Sequence, residues 1–449
     1  MDAVYLIVGI GLVLGVMVLI HEWGHFVVAR LCRVRVDVFS IGFGPRLFGW
    51  KKGPTDYRVS ALPLGGYVRM AGQDLSEVDA GDKPPTGAPD ELMSKPRWQR
   101  ALISFAGPAV NLVFPIFLLT GLFSIVGLPY PAYLDAPVRV TSLPANAQVS
   151  PSPIPLKAGD TVVSINGVPT PTWEQALLAL KQFGSAATVK MEVDDAGTHR
   201  TIDIPVKDVT ETNRILGYAP IRPIIDQVAP GTPADRAGLR EGDEISGVNG
   251  KKIDYWEQFR EATQASNGQP MALDILRKGQ TVHLTVTPKK DAAGTGENVY
   301  QIGIGPRDET KYKHVSFSES VKFAAGGTVD TIGRTLDVVG KLFRGRVSIK
   351  QLQGPVGIST MASQAVRRGP LDVVSLMVLI SINLGILNLL PIPILDGGNI
   401  LLLAIEGIMR RDLSLSFKER FVQVGLVFLL VIFAIVMYND ILRRITSHS

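Results

Sequence analysis

Val18-Leu-Ile-His-Glu-Trp-Gly-His-Phe-Val-Val-Ala29 is the stretch on which the reading of this chain turns. It contains His-Glu-x-x-His, with His21 and His25 four residues apart and Glu22 between them. Positions i and i+4 share one face of a helix, so both imidazoles can reach a single metal ion. Glu22 is one residue on from His21, which places it beside such an ion, where it can take a proton from water. The setting is apolar: Ala3–Ile20 carries no charge, and Phe26–Ala29 continues without one. The motif therefore lies in a segment that reads as a membrane-spanning helix. On a soluble helix the same residues would as readily be a solvated surface. At membrane depth each ionisable side chain costs about 2.5–3.5 kcal/mol on insertion scales and is retained for function.

Working outward, Met1–Ala29 reads as a first span. A cleaved leader is the rival reading, but Asp2 is the single early charge and no small-residue cleavage site follows. Arg30, Arg33 and Arg35 mark its cytoplasmic end, so the N-terminus is expected outside. Glu22 then sits about 12 Å along the helix from Arg30. A second charge-free run, Ala101–Leu134, starts at the basic edge Lys95–Arg100 and runs outward, with Pro108 and Pro115 expected to kink it. Asn111 in that run either joins helices or lines the site.

A third charge-free run, Val373–Leu395, goes inward and ends in Asn388-Leu-Leu-Pro-Ile-Pro-Ile-Leu-Asp-Gly-Gly398. Pro391 and Pro393 break the helix, which frees Asp396 to turn toward the histidines on the same side of the membrane. A carboxylate would complete a His, His, carboxylate set with one open position. The alternative is an Asp that caps the next helix. Asn383 and Asn388 on this run either clamp a substrate backbone or join helices. A fourth run, Phe421–Asn439, returns outward behind Arg410, Arg411, Lys418 and Arg420, while Arg443 and Arg444 run against that orientation.

Between the first two runs, Asp37–Gly72 is glycine-rich and partly alternating. Phe39–Pro45 and Tyr57–Val68 read as short β-hairpins. They either dip into the membrane beside the motif or form a small cytoplasmic subdomain; irregular backbone at that depth needs protein or water against it. Gln73–Ser94 is acidic, holds Pro and Gly, and is expected to be a mobile loop. Val315–Ser363 has apolar residues at helical spacing and is expected to lie as amphipathic helix on the outer membrane face.

Tyr133–Arg307 is soluble in composition and internally repeated. Ala158-Gly-Asp-Thr-Val-Val-Ser-Ile-Asn-Gly167 returns as Glu241-Gly-Asp-Glu-Ile-Ser-Gly-Val-Asn-Gly250, and Trp173-Glu-Gln175 as Trp256-Glu-Gln258, always offset by 83 residues. The repeat resembles tandem bacterial PDZ domains. That resemblance implies binding of peptide C-termini by strand addition, at loops Leu216-Gly217-Tyr218 and Ile302-Gly303-Ile304. The second unit alone has the full Pro-Ala-x-x-Ala-Gly-Leu lead-in, Pro233–Leu239; the first has a proline-rich substitute. Alternatively, both units are spacers or size filters.

Composition narrows the classes. The 449 residues carry a net charge of +5 with no basic run interleaved with aromatics, so nucleic acid is not a partner. Cys32 is the one cysteine, which excludes an intramolecular disulfide and a thiolate metal cluster. A mean hydropathy of +0.21 fits apolar spans mixed with ordinary globular sequence.

Together these residues resemble the site-2 protease family of intramembrane zinc metalloproteases. The resemblance is carried by His21-Glu-Trp-Gly-His25, Gly42-Phe-Gly44, the paired PDZ units and Leu395-Asp-Gly-Gly398, in the family's order and over nearly the whole chain. It implies an α-helical membrane protein of four transmembrane helices, with two inserted α+β PDZ domains and a membrane-associated β-hairpin region. The divisions are a first span (1–30), a β region and loop (31–97), a second span (98–130), PDZ domains (131–221 and 222–308), an extracytoplasmic amphipathic segment (309–367), a third span with a cytoplasmic loop (368–417) and a fourth span (418–442). It further implies one Zn2+ on His21, His25 and Asp396, Glu22 as the base, and substrate held as an extended strand at Gly42, Phe43 and Gly44. The implied substrates are single-span membrane proteins already cut once, of the anti-sigma factor type, or signal-peptide remnants. The implied place is the bacterial cytoplasmic membrane, with both termini and the PDZ domains outside and the site toward the cytoplasm. A zinc transporter would need neither PDZ modules nor an adjacent Glu22; a scaffold with a dead metal site would be indifferent to that residue.

Overall fold

The computed structural model describes residues 2–73, 86–140, 156–157, 159–183, 188–205, 216–229, 231–290, 299–307, 309–344 and 354–446. Its first apolar run is helix with one wider turn inside it. Helix α1 (Asp2–Ile10) passes through a π-helical turn, Gly11–Gly15, into α2 (Val16–Leu31). Nothing polar competes for the backbone here, and Arg30 lies in the last turn, where a cation meets the helix's free carbonyls favourably.

The following region is one long hairpin, not the short hairpins that its glycines imply. Strands β1 (Val36–Lys52) and β2 (Thr55–Met70) pair throughout, with the turn at Gly53-Pro54. The other glycines act as irregularities within the strands and let the hairpin fold back on itself. Val38 pairs with both Arg69 and Asp56, and Phe39 with both Val68 and Tyr57. The N-terminal half of β1 is thus sandwiched between the two halves of β2, and residues 66–70 form an outer edge. Val34, Val36, Val68 and Met70 bury against Ala29 and Ile103, while Leu47, Phe48 and Trp50 stay exposed near the turn. Residues 74–85 of the acidic loop lie outside the described residues. Its described part is pinned by Glu91, which is buried and accepts from the Thr86 and Gly87 amides.

Helix α3 (Arg97–Ile125) runs through both Pro108 and Pro115. The soluble segment forms a unit of its own. Its first repeat has strands β3 (Thr161–Ile165) and β4 (Val168–Pro169), helix α4 (Trp173–Phe183), and strands β5 (Thr188–Asp195) and β6 (Thr198–Pro205), in sheet order β4-β3-β5-β6. The proline-rich lead-in of this repeat falls in residues 141–155, outside the described residues. In the second repeat, β7 (Ile225–Val228) pairs with β12 (Ile304–Pro306). Strands β8 (Glu244–Val248), β9 (Lys251–Lys252), β10 (Met271–Arg277) and β11 (Gln280–Val286) form a sheet in order β9-β8-β10-β11, with α5 (Trp256–Ala265) packed on it. Trp173 and Trp256 are buried at matching places in the two cores.

The remaining helices return to the membrane-type unit. They are α6 (Phe317–Phe343), α7 (Pro355–Arg368), α8 (Pro370–Asn388), α9 (Asp396–Met409) and α10 (Leu415–Thr446). Among the described residues, four helical stretches are long and apolar enough to cross a membrane: Val4–Leu31, Arg97–Ile125, Pro370–Asn388 and Ser416–Ile441. Helix α8 ends at Asn388, seven residues before the charge-free run does, because Pro391 and Pro393 cannot continue it. Helix α3 is the central post: α2, α6, α8 and α9 all pack on it. Helix α6 lies along α3 and reaches α8, where Ile332 packs against the cluster of Val378, Ile382 and Ile386. Helix α1 meets α7 closely enough that a Cβ on Gly9 would fall 2.7 Å from the Ala362 carbonyl carbon. Helix α10 is held by Lys418 on Glu406 (3.1 Å) near one end, and near the other by Asp440, which accepts from the Gly354 and Gly357 amides at the start of α7.

The repeated Gly-Asp has a structural explanation. Asp160 and Asp243 are buried, each accepts a backbone amide three residues back, and each binds an arginine of its own sheet, Arg200 and Arg277. Arg277 grips Asp243 with two nitrogens at 2.7 Å. Removing one partner of a buried pair leaves the other uncompensated and costs about 3 kcal/mol or more. Asp243→Ala is therefore expected to lower the unfolding temperature of the second repeat and open it to limited proteolysis, leaving the helical unit protected; urea titration followed by proteolytic mapping checks this.

Candidate metal centre

Helix α2 places His21 and His25 one turn apart on a single buried face. The third group arrives from the far end of the chain. After α8 stops, residues 389–395 fold into a tight loop, and α9 opens with Asp396. Ile394 holds a left-handed backbone (φ 79°), which for a β-branched residue is strain of order 1–3 kcal/mol. The two glycines after Asp396 are demanded by close approach. A Cβ on Gly397 would lie 2.3 Å from the Leu390 carbonyl oxygen, and one on Gly398 2.3 Å from that of Ile392. The Asp-Gly-Gly sequence thus lets the first turn of α9 nest into the loop and turn Asp396 inward.

The three groups converge. His21 Nε2 is 3.2 Å from Asp396 Oδ2, His25 Nε2 is 3.4 Å from Oδ1, and the two Nε2 atoms are 3.2 Å apart. Ligands about 2.0–2.1 Å from a tetrahedral zinc lie about 3.3 Å from one another. The donor triangle therefore has the size of one face of such a tetrahedron. His25 Nδ1 donates to the Ile103 carbonyl at 2.8 Å, which puts the ring proton on Nδ1 and leaves the Nε2 lone pair for a cation. Space is kept by a missing side chain: a Cβ on Gly107 of α3 would fall 2.3 Å from His25 Nε2 and 2.8 Å from His21 Cε1. The residues fit a zinc ion in donor type, spacing and tautomer.

Glu22 turns toward the outer edge of β2. A Cβ on Gly66 would lie 3.4 Å from Glu22 Cγ, and the Val68 backbone lies beside its carboxylate. Asn388 also joins the cluster, its amide 3.3 Å from His21 Nε2. Asn383 does not: it meets the Thr335 hydroxyl of α6 at 3.4 Å and so joins helices. Gly42, Phe43 and Gly44 lie in the irregular bend of β1, where Phe43 is half exposed and stacks on Tyr67. Two supports were not expected from the sequence, the Ile103 carbonyl and Gly107. A small residue one turn before a lone asparagine, Gly107 to Asn111, was the signal available.

The model of peptidase family M50 matches residues 9–432. The chain belongs to peptidase family M50. Similar M50 relatives include the regulator of sigma-E protease RseP of Escherichia coli (strain K12), 32% identical over 96% of this chain and 97% of that protein. A putative zinc metalloprotease of Vibrio cholerae is 31% identical over 96% of the chain and 97% of its own length. Another, from Neisseria meningitidis serogroup A, is 31% identical over 95% and 97%. This M50 chain is accordingly a membrane zinc metalloprotease.

The two loops expected to catch peptide ends differ. Ile302 and Gly303 line a groove with Trp256, Phe259 and Gln264 of α5. Leu216 and Gly217 are buried in the first repeat's core, and the Tyr218 hydroxyl donates to Glu261 of α5. Burial and that carboxylate push the Tyr218 phenol above its ordinary pKa.

Gly107→Ala puts a methyl group where the His25 lone pair points. The purified variant is expected to remain inserted and helical but to hold less than a tenth of the wild-type zinc, read by metal analysis after gel filtration.

Proposed function

We propose that this M50 peptidase hydrolyses peptide bonds within transmembrane segments of single-span membrane proteins, using zinc held by His21, His25 and Asp396. The observation that carries this reading is the triangle of donor atoms, 3.2–3.4 Å on each edge, at the meeting of two apolar helical segments. When bound, zinc supplies a Lewis acid and brings the pKa of water to about 7. Glu22 is the general base: it takes the proton of the attacking water and later delivers it to the leaving amine. Asn388, whose amide lies 3.3 Å from His21 Nε2, orients the scissile carbonyl.

A transmembrane helix hides its own amides, so the substrate must unwind first. The outer edge of β2, residues 66–70 beside Glu22, gives the unwound segment strand hydrogen bonds and offsets part of that cost. The Gly42-Phe43-Gly44 bend sits in the same folded hairpin and shapes that edge, and exposed Leu47, Phe48 and Trp50 set the hairpin's turn against lipid. In this reading Asn383 serves through its bond to α6, not through substrate.

The repeats, 131–221 and 222–308, are read as PDZ domains, supported by their matching sheet orders and the groove at Ile302 and Gly303. The second takes peptide C-termini; in the first, Leu216 and Gly217 are committed to the core. They stand outside a bacterial cytoplasmic membrane, with the metal centre toward the cytoplasm, and admit substrates such as anti-sigma factors only after a first cleavage.

Two measurements test this. With a single-span reporter in bilayers, Glu22→Gln is expected to lower cleavage at least a thousandfold at unchanged zinc content; cleavage within tenfold of wild type would overturn the assignment of the base. Deleting residues 133–307 is expected to allow cleavage of a reporter that keeps its bulky outer domain; a deletion variant that still requires trimmed substrate refutes the gate.

A further inference from the structure

Helix α3 supplies no metal ligand, yet it touches both histidines through one stripe. Ile103, Gly107 and Asn111 are spaced by four residues and so lie on one face. The Ile103 carbonyl takes the His25 Nδ1 proton, and Gly107 leaves room at the donor atoms. Asn111 completes the stripe. It is fully buried, and its side-chain amide lies 3.2 Å from His21 Nδ1, the ring nitrogen that faces away from Asp396. Its Oδ1 has no hydrogen-bond partner among the described residues. Its own carbonyl accepts from the Ser381 hydroxyl of α8 at 2.7 Å, which fixes the residue between two helices.

These contacts assign Asn111 a role beyond joining helices. For His21 Nε2 to donate its lone pair, the ring proton must sit on Nδ1, and a buried N–H there needs an acceptor. The group within reach is the Asn111 amide, whose otherwise unpartnered oxygen comes to Nδ1 by a half turn about the last side-chain bond. We infer that Asn111 is a positioning residue: its amide oxygen accepts from His21 Nδ1–H, selects the metal-binding tautomer and locks the ring, as the Ile103 carbonyl does for His25. The inference rests on the zinc site proposed above.

Partners of ligand imidazoles typically change metal affinity 10–100-fold when removed. The experiment measures zinc affinity of the purified full chain by chelator competition for wild type, Asn111→Leu, Asn111→Asp and His21→Ala. Asn111→Leu keeps the volume and loses the acceptor; its zinc affinity is expected to fall 10–100-fold. Asn111→Asp restores an acceptor and is expected to bind zinc at least as tightly as wild type. A role in helix packing alone would make both variants lose zinc equally or neither lose it, and either result overturns the inference. If Asn111→Leu does not accumulate in membranes, Asn111→Ser, too short to reach Nδ1, takes its place with the same expectation. The two readings fail separately: unchanged zinc affinity in His21→Ala removes the site itself, whereas loss there with wild-type affinity in Asn111→Leu removes this assignment alone.

Discussion

Two imidazoles and a carboxylate brought within 3.4 Å of one another in an apolar surrounding form the constraint on which the membrane-type unit is built. None of the three is stable there alone, since each loses water that lipid and leucine cannot replace. They are held by neighbours on α3: the Ile103 carbonyl accepts from His25, and Gly107 keeps space at the donor atoms. The required features follow from that need: a helix that shows both histidines on one face, a helix break that turns Asp396 inward, and a wall with no side chain at Gly107. The strained Ile394 and the glycines after Asp396 are local costs of the same arrangement.

Helix α3 carries much of the support without contributing to the donor triangle. It packs against α2, α6, α8 and α9, and its carbonyl, its glycine and its asparagine all point at the histidines. A rigid post of this kind is what a ligand set borrowed from distant parts of a chain requires, because tertiary packing must replace sequence proximity. The soluble repeats solve a simpler problem with the same economy. Each buries one aspartate under its own arginine, so the Gly-Asp signature that reveals the repeat is also what closes each small core.

Much of this was legible in the sequence because the strong signals are periodic or exclusive. His21 and His25 at i and i+4, the charge-free runs, and Asp396 after two prolines on the matching side each admit few arrangements. The 83-residue offset of the repeat marks the two α+β units. Three things were not legible. Glycines in Asp37–Gly72 read as turns, whereas most serve as bends within two long strands, because local sequence does not register which distant strand is the partner. Asn383 and Asn388 look alike on one helix, and it takes the rotation of α8 to send the first to Thr335 and the second to His21. The Ile103 carbonyl belongs to the backbone, so no residue type announces it.

The π-helical turn at Gly11–Gly15 has a further consequence. An α-helix advances by about 100° per residue, and a π turn accommodates one residue beyond the usual count. The upper part of the helix must press Gly9 against Ala362, while the lower part must aim His21 and His25 at Asp396. An unbroken spiral has one angular phase and could be set correctly for only one of these tasks. The extra residue works as a coupling between two shafts, so the end that grips α7 and the end that faces the donor triangle are each indexed independently within a single rod.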